Sequence, residues 1–156
     1  RYENLLIVKA FTKSYALAGL RVGYCLTGDA RLLTNMAACS QPGNVSLPAQ
    51  EAAVAALQNP DWVQRARALV SEQREYLTRA LQSLKLTVCP SRANYLLFCA
   101  PVGLDDMLRR EKIAIRNCKN YAGLTPGWYR IAVRQKEENE ALVNAIRRAM
   151  EEPSWH

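Results

Sequence analysis

The chain has 156 residues, with 21 Lys and Arg against 14 Asp and Glu and a net charge of +7. Its 49% apolar and 22% charged residues are a globular composition, which excludes a disordered, collagenous or low-complexity chain. No apolar run approaches the ~20 residues of a membrane helix, and the opening Arg1-Tyr2-Glu3-Asn4 carries neither an initiator Met nor a signal-peptide pattern.

In chain order, Leu5 to Phe11 reads as a short buried strand and Val22 to Thr27 as a second one ending at Gly28-Asp29. Asp29 is placed to cap a helix that runs to about Cys39. Gln41-Pro42-Gly43-Asn44 is a loop by composition. A helix follows over Pro48 to Leu57, with Pro in its first turn. Asn59-Pro60-Asp61 breaks it and starts a longer one, Asp61 to Leu84. There Val63, Ala66, Leu69, Val70, Leu77, Leu81 and Leu84 recur at three- and four-residue spacing. A helix of that length can tie two lobes together. Beyond it the pattern predicts strands at Leu86–Pro90 and Ala93–Cys99, a helix at Leu104–Glu111, strands at Ile113–Arg116 and Tyr129–Arg134, and a helix from about Glu137 to Met150. The order β, β, α, β, β, α describes a mostly antiparallel sheet covered by helices.

The positive charge invites a nucleic-acid reading, but the basic residues sit on helix exteriors (Arg65, Arg67, Arg74, Arg79, Arg147, Arg148) with no interleaved aromatics. Trp62, Trp128 and Trp155 make no base-stacking pattern, and Glu151 and Glu152 read as a solvated tail. Anionic small molecules suit the basic bias as well. The five cysteines, Cys25, Cys39, Cys89, Cys99 and Cys118, are widely spaced, without C-x-x-C, and His156 is the one histidine. That disfavours a zinc site or a disulfide framework and leaves buried, reduced thiols of a cytosolic protein as the expectation.

The most informative stretch runs from Lys9 to Tyr24. Lys13 follows a predicted strand, where α/β proteins meet their ligands. Flanking Phe11 and Tyr15 would desolvate it and favour its nucleophilic neutral form. Arg21 lies eight residues on, after a Gly that permits close backbone approach, and arginine suits a bidentate grip on phosphate. An imine-forming lysine plus a phosphate-binding arginine is what a pyridoxal phosphate enzyme needs. On residue chemistry alone, a surface lysine and a salt-bridged arginine are the commoner description of such a pair. The run Thr-Lys-x-Tyr-x-x-Ala-Gly-Leu-Arg-x-Gly-Tyr, however, resembles the Schiff-base lysine motif of fold-type I pyridoxal phosphate enzymes in the histidinol-phosphate aminotransferase branch. The resemblance implies that Lys13 forms the imine with pyridoxal 5'-phosphate and that Arg21 and Thr12 contact its phosphate. Ala10 stands where relatives usually have Ser or Thr, and Lys9 where they often have Arg.

A second constellation is Arg116 to Leu124 followed by Trp128 to Arg134. Arg116 and Arg130, fourteen residues apart on predicted strands, can converge on one anionic ligand or be solvated strand residues. Arg134 reads as structural, or as an ion-pair partner of Glu137 and Glu138; Tyr24 and Tyr121 read as packing residues. The run Arg-Asn-Cys-x-Asn-Tyr-x-Gly-Leu resembles the threonine-phosphate decarboxylases of adenosylcobalamin biosynthesis more than the histidinol-phosphate aminotransferases. Ala93 to Phe98 matches both as the opening strand of their small domain. By this resemblance Arg130 binds the substrate α-carboxylate and Arg116 its other anionic group.

The resemblance implies an α/β chain that is the C-terminal part of an aspartate-aminotransferase-like fold. Residues 1–60 would end the large cofactor-binding domain, 61–84 form a bridging helix and 85–156 form the small domain. The family's aspartate for the pyridine nitrogen, its ring-stacking aromatic and its asparagine at the ring oxygen lie before the lysine. None of the twelve residues preceding Lys13 fits those roles, so the chain is expected to be an inactive fragment of a longer, dimeric, cytoplasmic enzyme. The implied reaction is decarboxylation of L-threonine O-3-phosphate, a small anionic amino-acid phosphate, with no nucleic acid or membrane partner. The alternatives are a histidinol-phosphate or related aminotransferase, and a non-catalytic binding module.

Overall fold

The computed structural model describes residues 2–151. Glu152, Trp155 and His156, which entered the tail, stacking and zinc readings, lie outside the described residues, as does Arg1. The chain divides between Ala66 and Arg67 into two compact units.

In the first unit, β1 (Leu6–Ala10) and β2 (Gly23–Thr27) pair antiparallel from Leu6 opposite Thr27 to Ala10 opposite Gly23. A one-turn helix α1 (Phe11–Ser14) follows β1 directly. Next come α2 (Ala30–Ala38) and α3 (Leu47–Leu57). Asp29 caps α2, its Oδ1 accepting from the Leu32 N–H at 3.0 Å, and Ser46 caps α3 in the same way. Phe11, Val22 and Ala49 form the unit's small core, with Tyr15, Leu17 and Leu20 against it.

The expectation that β1 is buried is corrected: every residue of the strand is exposed, Val8 to 72%. A two-stranded hairpin has no third layer to cover both of its faces. Phe11, read as the end of this strand, instead opens α1 and is the buried member of the stretch.

Helix α4 (Pro60–Ser83) runs across the division. The second unit then adds β3 (Thr87–Val88), β4 (Tyr95–Cys99), α5 (Leu104–Arg110), β5 (Arg116–Asn117), β6 (Trp128–Ala132) and α6 (Lys136–Glu151). Its four strands form an antiparallel sheet of order β3-β4-β6-β5. Alternation puts Leu96 and Phe98 of β4 and Tyr129 and Ile131 of β6 on one buried face. Leu77 and Leu81 of α4, Leu104 and Leu108 of α5, and Leu142, Val143 and Ile146 of α6 complete that core. Acidic Glu137 and Glu138 open α6 and Arg148 closes it, which complements the helix dipole.

Two further expectations change. The predicted strand at Ile113–Arg116 reduces to Arg116–Asn117, because Ile113 continues the turn after α5, its N–H donating to the Leu108 carbonyl at 3.0 Å. The cysteines, expected as buried thiols, are not: only Cys118 is buried, and Cys39 is exposed. No helix among the described residues is long and apolar enough to cross a membrane.

Candidate functional site

The first group of candidate residues sits where the chain passes from β1 to β2. The Phe11 N–H donates to the Val22 carbonyl at 3.2 Å, which extends the hairpin pairing by one step. The Phe11 carbonyl accepts from the N–H groups of Tyr15 and Leu17 at 3.2 and 3.3 Å, curling the segment into α1 and the turn after it. The Phe11 ring stacks on Tyr15 with centroids 5.1 Å apart and meets Tyr24 edge-on at 5.9 Å. The indole N–H of Trp62 donates to the Ser14 carbonyl at 3.1 Å and satisfies a carbonyl at the end of α1.

Lys13 occupies the last turn of α1 and is exposed, with Thr12 half-buried beside it. The expected desolvation by Phe11 and Tyr15 does not occur within this unit, because the two rings stack on each other. Arg21 is also exposed; among the described residues it makes no salt bridge, and its guanidinium donates one hydrogen bond to the Ala18 carbonyl at 3.1 Å. Its backbone lies in the left-handed region at φ 51°, which costs on the order of 1 kcal/mol for a residue with a Cβ.

A Cβ on Gly19 meets nothing within 4 Å, whereas one on Gly23 falls 2.6 Å from the Lys9 carbonyl oxygen. The close approach therefore belongs to the first residue of β2, where the two strands meet below α1.

An amine, a hydroxyl and a guanidinium thus come from ten consecutive residues, and neither cation has a carboxylate partner among the described residues. This donor set fits pyridoxal phosphate: the Lys13 amine matches its carbonyl, and Arg21 with Thr12 matches its phosphate.

The second group lies on the sheet of the second unit. Arg116 of β5 and Arg130 of β6 are direct register partners, so both side chains project from the face opposite the apolar core. Like charges directly opposite each other on neighbouring strands repel. Among the described residues neither has a carboxylate partner, while Arg79, Arg134 and Arg148 pair with Glu75, Glu138 and Glu111. The Arg134–Glu138 pair, at 2.7 Å, is one that the sequence anticipates.

Instead, each unpaired guanidinium rests on a ring. Arg130 Cζ lies 5.1 Å from the Tyr95 ring centroid and Arg116 Cζ 5.8 Å from that of Tyr121. Sequence reasoning left Tyr121 as packing and gave Tyr95 no role. The available signal was alternation in β4, which puts Tyr95 on the outer face while Leu96 and Phe98 point into the core.

The segment that follows Arg116 is held from several sides. Asn117 donates its amide to Asp105 Oδ2 at 3.1 Å and accepts from the Lys119 N–H at 3.0 Å. The Cys118 N–H donates to the Trp128 carbonyl at 2.9 Å. The structure therefore makes Arg116 and Arg130 register partners in one unit, while in the other it places Thr12 and Lys13 on α1 and Arg21 in the turn before β2.

The chain is 36% identical over 151 residues to the threonine-phosphate decarboxylase of Salmonella typhimurium, covering 94% of this chain and 42% of that protein. It is 37% identical over 157 residues to histidinol-phosphate aminotransferase 2 of Gluconobacter oxydans, covering 94% and 42% respectively. The crystal structure of the histidinol-phosphate aminotransferase from Clostridium acetobutylicum superposes with a TM-score of 0.89 at 26% identity, over 96% of this chain and 46% of that one. The chain thus spans less than half the length of these relatives, and its fold is that of the aspartate-aminotransferase-like enzymes. Residues 1–146 match the family described as aminotransferase class I and II, and the chain belongs to that family.

Proposed function

We propose that this chain is part of a pyridoxal phosphate-dependent decarboxylase that converts L-threonine O-3-phosphate to (R)-1-amino-2-propanol O-2-phosphate. The observation that carries the reading is the register pair Arg116 and Arg130, two cations on one sheet face without a carboxylate partner among the described residues. Two uncompensated guanidiniums suit a ligand with two anionic groups. Threonine phosphate carries two such groups, a carboxylate and a phosphate. The likeness to the Salmonella decarboxylase supports the same choice. In this reading the complete enzyme is longer than this chain, dimeric and cytoplasmic, and residues 1–156 alone are inactive.

Pyridoxal phosphate, when bound, supplies a carbonyl that captures amines and a ring that accepts the electron pair of a bond broken at the substrate Cα. Lys13 Nζ would be the amine that holds that carbonyl. Arg21 and Thr12 hold the cofactor phosphate through charge-assisted hydrogen bonds. Arg130 grips the substrate α-carboxylate and Arg116 its phosphate, and together they select which Cα bond breaks. Lys13 Nζ would also be the group placed to deliver a proton to the substrate Cα.

Assay of the complete gene product with O-phospho-L-threonine tests this: release of CO2 is expected. The second reading, an aminotransferase, is favoured by the 37% identity to the Gluconobacter enzyme. Amino transfer to 2-oxoglutarate without CO2 release would establish it in place of the first. A binding module would take up no cofactor covalently.

A further inference from the structure

Arginines that face each other across a sheet are normally relieved by a carboxylate. Among the described residues Arg116 and Arg130 have none; a tyrosine ring underlies each of them instead. Tyr95 pairs with Ala132, and Leu97 pairs with Arg130. Tyr95 is therefore the diagonal neighbour of Arg130 on the same sheet face, within reach of a long side chain. Tyr121 arrives from the loop after β5, turned back by its own N–H donating to the Cys118 carbonyl at 2.9 Å. Its carbonyl accepts from the Leu124 N–H at 3.1 Å, which closes the next turn.

The two kinds of support differ in what they leave available. A carboxylate beneath an arginine would neutralise it and occupy its N–H fork. A ring attracts the cation through its π face and leaves the in-plane N–H donors open. Both charges then stay uncompensated and presented edge-first, although their mutual repulsion favours splaying apart.

We propose that Tyr95 and Tyr121 are positioning residues that hold Arg130 and Arg116 in register as one receptor for a doubly anionic substrate, and so set the preference for amino-acid phosphates. This rests on the function proposed above. The ring face does the work, not the hydroxyl, so phenylalanine serves in either position and leucine does not.

The test is steady-state kinetics of the holoenzyme of the complete gene product with O-phospho-L-threonine. Tyr95→Leu and Tyr121→Leu are each expected to raise KM by about tenfold, the scale of a cation–π contact, and to lower kcat as well, because the arginines they position also orient the Cα bond that breaks. Tyr95→Phe and Tyr121→Phe are expected to restore the wild-type KM. Arg116→Gln and Arg130→Gln serve as references and raise KM further. If the arginine variants raise KM but neither leucine variant does, the positioning proposal is overturned and the proposed function stands. If the arginine variants leave KM unchanged, the proposed function itself fails. Phenylalanine variants as impaired as the leucine ones would move the role to the hydroxyls and also overturn the proposal. Should Tyr95→Leu fail to fold, Tyr121→Leu decides alone, since Tyr121 sits on an exposed loop.

Discussion

Asn139 of α6 donates its side-chain amide to Gln73 Oε1 of α4 at 3.0 Å, a hydrogen bond between two buried polar groups 66 positions apart. The same amide donates to the Arg134 carbonyl at 2.8 Å, and Asn139 Oδ1 accepts from the Arg134 N–H at 3.1 Å. One side chain therefore closes the turn from β6 into α6 and anchors it to α4. Asn139→Ala strands three polar groups at once and is expected to cost about 2–4 kcal/mol. Gln73→Leu strands only one amide hydrogen and is expected to cost about half of that. Urea unfolding of the two variants measures the difference, and equal losses would contradict this account.

Tyr129 makes a comparable link on the other side of the core. Its hydroxyl accepts from the Gly103 N–H at 3.0 Å and donates to the Pro101 carbonyl at 3.2 Å, at the start of α5. Tyr129→Phe is expected to lose about 1–2 kcal/mol. Burial pushes the phenol above its ordinary value of 10.0, with Asp105 adding to the rise. The unfolded chain therefore ionises this group first, and stability falls as pH rises from about 10 through the folded value. Below pH 10 the group contributes no pH dependence. Chemical denaturation between pH 8 and pH 11 should show this loss in the wild type and a shallower one in Tyr129→Phe.

The two glycines around Arg21 separate sharply. Gly23→Ala drives a Cβ to 2.6 Å from the Lys9 carbonyl oxygen, so the last register pair of the hairpin must open, at about 1–3 kcal/mol. Gly19→Ala meets open space and should stay within about 0.5 kcal/mol of wild type. Thermal unfolding of both variants checks this. A loss at Gly19 equal to that at Gly23 would show that the turn, and not the strand contact, demands glycine.

Lys13 and Arg21 are predicted to fail in different ways in the complete gene product. Lys13→Ala should abolish covalent cofactor retention, seen as loss of the bound-cofactor absorbance after gel filtration. Arg21→Gln should keep that absorbance but weaken cofactor affinity by about 10- to 100-fold, the scale of hydrogen bonds to a charged group. Retention by Lys13→Ala would remove the lysine from its proposed role.

Much of this architecture follows from local patterns. The three- and four-residue spacing over Asp61 to Leu84 defines α4 (Pro60–Ser83) within a residue at each end. Asp29 marks the start of α2, and the alternation in β4 and β6 separates core from outer face. The Thr12-to-Tyr24 motif identifies the family. These signals are legible because helix caps, strand alternation and contiguous motifs depend on residues near one another in the chain.

Other features were decided only in three dimensions. Arg116 and Arg130 become neighbours through the pairing of β5 with β6, and a slip of one residue would turn one of them into the core. Tyr95 is carried to Arg130 by the β4–β6 register, 35 residues away in sequence. The requirement for glycine at position 23 arises from a strand contact that its own neighbours do not reveal. Nor does the apolar run of β1 show that its strand is exposed, because a side chain's hydrophobicity does not say how many layers surround it. Sequence alone therefore determined the elements and the chemistry they carry, while tertiary pairing decided which charges meet, since register and layering are set by contacts between distant segments.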